Sequence, residues 1–135
     1  MPLDSRPRSW WLLIGLLALQ LCTVSVASAQ YSDQDEPQHG GVTNWNTNSE
    51  YSFELVVDDK NATVYIEDHE VPVPTQGAKG TLSVTRDGAT QTADLMPSGE
   101  NRVVARGLAI RKGDRVVARL TLANGIIMLG RFIAQ

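Results

Sequence analysis

The sequence predicts an all-β domain of about seven antiparallel strands, an immunoglobulin- or fibronectin-like β-sandwich, over residues 51–135. Three observations carry this expectation. Apolar residues alternate over short runs instead of recurring at helical spacing, as in Tyr51, Phe53, Leu55 and Val57. Turn-forming pairs such as Asp87-Gly88 and Asn124-Gly125 separate the runs. No stretch after residue 50 has the length and periodicity of an amphipathic helix. A small barrel is the alternative arrangement for the same strands.

The chain opens on Arg6 and Arg8, continues from Trp10 as WWLLIGLLAL and reaches Ala27-Ser28-Ala29. A charged start, an apolar run and a small-x-small site make up a cleavable export signal. Residues 1–29 are therefore expected to be removed after Ala29, giving a periplasmic protein that begins at Gln30. Cys22 leaves with the signal, so the exported chain has no cysteine, and neither disulfides nor thiolate metal ligands are available to it.

Residues 30–50, QYSDQDEPQHGGVTNWNTNSE, are polar and acidic with no apolar periodicity, and a flexible segment is expected, with Trp45 packing back on the domain. Strands follow at Tyr51 to Val57 and around Val64 and Ile66, with Asp58-Asp59-Lys60-Asn61 as the turn between them. Further strands are expected at Thr81 to Arg86, Thr90 to Met96, Arg102 to Ala109, Arg115 to Ala123 and Ile126 to Ile133. Val71-Pro72-Val73-Pro74 must be an extended connection or an edge, because proline cannot donate to a ladder. Asn124-Gly125 suits a two-residue hairpin loop, in which both central residues take positive φ. That loop would set Leu122 opposite Ile127 and Leu120 opposite Leu129 in the core, and turn Thr121, Met128, Val117 and Phe132 outward. The predicted core is Phe53, Leu55, Val64, Ile66, Leu82, Val84, Leu120, Leu122, Ile127 and Leu129.

Charge is unevenly spread. Residues 30–70 hold ten acids and only Lys60, whereas residues 71–135 hold nine bases and four acids. The acidic half lacks the concentrated basic footprint that nucleic acid requires, so no nucleic-acid partner is expected. Membrane contact is expected only through the signal segment before cleavage.

The exported chain has two histidines, His39 and His69, and two methionines, Met96 and Met128. With no cysteine and no Gly-x-Ser-x-Gly elbow, the usual parts of hydrolase and redox centres are missing, and no catalytic residues are assigned. His39 follows Asp33, Asp35 and Glu36 and precedes Gly40-Gly41, a chain flexible enough to wrap carboxylates and an imidazole around a divalent ion. His69 ends the run Tyr65-Ile66-Glu67-Asp68-His69-Glu70, where alternation puts Tyr65, Glu67 and His69 on one exposed face. For each the competing reading is a solvated surface imidazole. The candidate metal ligands are His39, His69 and Glu67, and imidazole with carboxylate suits copper or zinc. The two methionines are not clustered, which disfavours a cuprous thioether site.

The motifs His39-Gly40-Gly41, Phe53-Glu54-Leu55, Val64-Tyr65-Ile66-Glu67-Asp68-His69, Pro72-Val73, Gly77-Ala78-Lys79-Gly80, Pro97-x-Gly99, Arg102 and Ala105-Arg106-Gly107 resemble, in order, those of small periplasmic proteins of proteobacteria. They are also similar to the N-terminal β module of periplasmic adaptor subunits of heavy-metal efflux pumps. The resemblance implies a β fold and metal contact at His39 and His69. The helical hairpin, lipoyl-like and barrel domains of such adaptors have no counterpart here, so bridging of a pump is not implied. Two functions are expected to compete: an exported accessory protein that binds a transition metal weakly and serves a metal-efflux component, and a metal-independent module that binds another envelope protein.

Overall fold

A computed structural model describes residues 36–45 and 50–135, all within a compact unit spanning Tyr31–Gln135. The expected signal, its cleavage after Ala29 and the side chain of Trp45 lie outside the described residues. No helix among the described residues is long and apolar enough to cross a membrane.

The architecture is all-β and antiparallel, as the alternation predicted. Among the described residues it has nine strands: β1 (Val42–Trp45), β2 (Tyr51–Asp58), β3 (Asn61–Asp68), β4 (Val71–Pro72), β5 (Lys79–Arg86), β6 (Ala89–Pro97), β7 (Arg102–Arg106), β8 (Arg115–Thr121) and β9 (Ile127–Ile133). Their order is β1-β2-β3-β7-β6-β5-β8-β9, with β4 also paired to β3. Strand β6 joins the two halves of the sheet: Ala89 to Leu95 pair with β5, and Met96 and Pro97 pair with β7. Because β1 comes back against β9, the sheet is nearly closed into a barrel, and the expected seven-stranded sandwich is not what forms. Sequence spacing predicts strands but not whether the first meets the last. That is set by sheet curvature and by strands that change partners, as β6 does here.

One strand arises inside the segment read as flexible. Residues 42–45 pair with Ser52 to Leu55 as β1. Their four-residue length gives alternation too little room to show. The proline-rich connection does contain an edge strand, Val71 and Pro72 pairing with Asp68 and Glu67. Its continuation is anchored by Thr75, which is fully buried and whose hydroxyl lies 3.0 Å from the Arg102 carbonyl oxygen, to which it donates.

The core fills with the inward residues of every long strand, among them Phe53, Leu55, Val64, Ile66, Leu82, Val84, Leu95, Val103, Val116 and Leu120. Two members of the predicted core are wrong. Thr121 stands opposite Ile127 and Leu120 opposite Met128, one residue out from the expected register. The loop has three residues: Gly125 N–H donates to Leu122 O, Leu122 N–H donates to Ile126 O, and Gly125 has φ +88°. This is the type I turn followed by a left-handed glycine, the other common hairpin ending. The slip turns the strand over. Met128 and Phe132 are buried, Ile127 is 51 % exposed, and Leu129 is only partly covered.

Candidate metal centre

Strand β2 is buried on both faces over Ser52 to Leu55. Phe53 and Leu55 point into the core. Ser52 and Glu54 point outward and are buried because the chain before β1 lies across them. Glu54 holds that segment. Its carboxylate accepts from the backbone N–H of Gln38 at 3.0 Å, of His39 at 2.8 Å and of Gly41 at 2.8 Å, and lies 2.8 Å from His39 Nδ1. The imidazole stacks on Tyr65, ring centroids 3.6 Å apart and planes 7° apart. Burial pushes the Glu54 carboxyl up, but the N–H donors and the imidazole outweigh it and hold the group below its ordinary value.

The glycines after His39 serve this clasp. Gly40 has φ +76°, and a Cβ on Gly41 would lie 2.3 Å from the Leu55 carbonyl oxygen. The His-Gly-Gly motif therefore has a folding role in this chain: it brings three backbone N–H groups onto one buried carboxylate.

His69 occupies a different place. It lies in the two-residue turn His69-Glu70 that joins β3 to β4, four residues beyond Tyr65, a distance along a strand of about 13 Å. Its Nδ1 is 2.6 Å from Asp68 Oδ1. Tyr51 pairs with Asp68, so Glu50 falls next to this turn, and ligand atoms of Glu50, Asp68 and His69 all lie within 4.8 Å of one another. His69 and Glu70 have φ +49° and +66°. Turns of this type normally carry Asn-Gly, and two non-glycine residues there cost about 1–2 kcal/mol each.

The structure thus places the two histidines at different ends of the outer face of β3. Glu67 shares the outer face of β3 with Tyr65, beside Ser52 and Glu54 at the N-terminal clasp. Glu50, which completes the cluster with Asp68 and His69, was not legible as a ligand, because only the β2–β3 register places it there. Comparisons with protein-family models, curated proteins and solved structures give no match to this chain.

Proposed function

We propose that this chain is an exported, non-catalytic accessory protein of the periplasm that binds a transition-metal ion, copper(II) or zinc, weakly at Glu50, Asp68 and His69, in the service of metal homeostasis or efflux. The observation that carries the reading is the convergence of one imidazole and two carboxylates at a single turn. Imidazole and carboxylate are borderline and hard ligands suited to these ions. The backbone strain at His69 and Glu70 fits a turn kept for its side chains. Exposure of Glu50 and His69 makes the affinity modest, since ordering exposed side chains costs conformational entropy. His39 takes no part, because it lies at the Glu54 clasp and outside this group.

Calorimetric titration with copper(II) or zinc tests this. Wild type should bind one ion, His69→Ala should abolish binding, Glu50→Gln and Asp68→Asn should weaken it about tenfold or more, and His39→Ala should leave it unchanged. Binding should also weaken as pH falls, because metal and proton compete for the imidazole. Absence of heat with wild type, or equal binding by His69→Ala, sinks the reading. The alternative is then a metal-independent protein-interaction module. The apolar cleft beside β4, lined by Val71, Pro72, Pro74 and Leu122, favours that alternative.

A further inference from the structure

The charge imbalance along the sequence becomes a spatial one in the fold. On the outer face of β5, β8 and β9, the residues that alternate with the core are Lys79 on β5, Arg115 and Arg119 on β8, and Arg131 on β9. Interleaved with them are Ile127, 51 % exposed, Ile133, 55 % exposed, and the partly covered Leu129. The register fixes their arrangement: Arg119 stands beside Leu129, and Arg115 beside Ile133. Thr81, Ser83 and Thr85 continue the face on β5 with hydroxyl groups. Among the described residues, the carboxylate on this face is Asp94, at its β6 margin.

At one end the face runs into a cleft of about 560 Å³. Arg86, Arg111, Lys112 and Arg115 line it together with Asp87 and Asp114. Asp114 is already committed. It forms a bidentate ion pair with Arg86, through Nε at 2.8 Å and through Nη2, and accepts the backbone N–H of Arg111 at 2.8 Å. The cleft therefore presents net positive charge to a ligand.

We infer that the β8–β9 face docks on an anionic phospholipid surface, with Arg115, Arg119 and Arg131 on the lipid phosphates, Ile127 and Ile133 in the headgroup–acyl boundary, and the cleft receiving further phosphate groups. Charge complementarity carries this. The chain as a whole is acidic, with net charge −3, yet this face gathers cations. Guanidinium groups match phosphate geometry, and exposed isoleucines beside them gain nothing from a polar partner but are stabilised at a membrane boundary. An acidic protein would satisfy the arginines and leave the isoleucines unused.

The test is co-sedimentation of the chain, as recovered from an exporting cell, with vesicles of phosphatidylglycerol in phosphatidylcholine and with phosphatidylcholine alone. Any apolar segment that inserts by itself binds both vesicle types, so the readout is the difference between them. Partition onto anionic vesicles should be at least about tenfold stronger in about 0.1 M salt and largely lost in about 0.5 M. Arg115→Ser, Arg119→Ser and Arg131→Ser should each lower it about fivefold, and Lys60→Ser, at the β2–β3 turn, should not. The pair Ile127→Ser with Ile133→Ser should also lower it about tenfold or more, at unchanged circular dichroism. Equal partition onto both vesicle types, arginine variants no weaker than Lys60→Ser, or an isoleucine pair without effect would each overturn the proposal. So would binding to soluble polyglutamate as tight as to the anionic vesicles, which would assign the face to an acidic protein. Failure here leaves the metal reading untouched, because Glu50, Asp68 and His69 lie off this face.

Discussion

At the residue scale, two buried carboxylates decide how the molecule responds to acid. Glu54 fastens the chain before β1, and Asp114 ties the β7–β8 connection to Arg86 at the end of β5. Both are held below their ordinary values in the fold, Asp114 at about 2, by hydrogen bonds from Arg86 and from the Arg111 N–H. The unfolded chain therefore takes up protons first, and stability falls with pH. Each contribution is complete above the unfolded carboxylate value of about 4. For Asp114 it is lost as pH falls from there through about 2. Acid unfolding followed by fluorescence should show a steep limb in that window, and Asp114→Asn should flatten it. Glu54→Gln places an amide where three N–H donors converge. It should cost about 2–3 kcal/mol in urea denaturation at neutral pH, with shallower dependence on pH below about 4. An unchanged midpoint would show that the clasp contributes nothing to stability.

At the scale of elements, the β8–β9 hairpin shows how a register shift of one residue turns a whole strand over. Sequence alternation fits either register: IIMLGRFI buries Ile127 and Leu129 in one, Met128 and Phe132 in the other. The choice falls to the second because Gly130 can then face the interior, where Phe53 needs the space. Leu122 pairs with Ile126 across Ala123-Asn124-Gly125. Deleting Ala123 would leave that pair joined by Asn-Gly, the two-residue loop favoured by strand twist. The register should survive, and thermal unfolding should move by no more than about 1 kcal/mol of stability. A large loss would mean that the three-residue turn itself, and not the core beyond it, holds the register. The two-residue turn at His69-Glu70 makes the complementary point. Glycine is absent where geometry would favour it, and Asp-His-Glu side chains stand in its place.

At the scale of the molecule, closure depends on Phe53 of β2 meeting β9. A Cβ on Gly130 would lie 2.3 Å from Phe53 Cδ2 and 3.0 Å from the Phe132 ring. Gly130→Ala should therefore destabilise the domain by about 1–3 kcal/mol through overpacking, and a second change, Phe53→Leu, should recover part of that loss in urea titrations. If Gly130→Ala is neutral, the β1–β9 seam is looser than the packing of Phe53 implies. The same closure separates the chain's charges. The acidic β1–β4 half carries the turn with Glu50, Asp68 and His69, and the other half carries the cationic face on β8 and β9.

Alternation of apolar residues and the glycine-containing turns were sufficient to place the seven longer strands and eight of the ten predicted core residues, because strand periodicity is a local property of the chain. Net charge, the single cysteine at position 22 and the two imidazoles were equally legible, being matters of composition. Closure into a near-barrel, the one-residue register of β9, the burial of Glu54 beneath Gln38 to Gly41, and the meeting of Glu50 with Asp68 and His69 were not. Each depends on contacts between residues far apart in the chain, and a local pattern compatible with either face of a sheet leaves that choice to packing and backbone hydrogen bonds. His39 shows the difference most directly: the sequence offers an imidazole near carboxylates, and only the tertiary structure sets its Nδ1 2.8 Å from Glu54 and its ring on Tyr65.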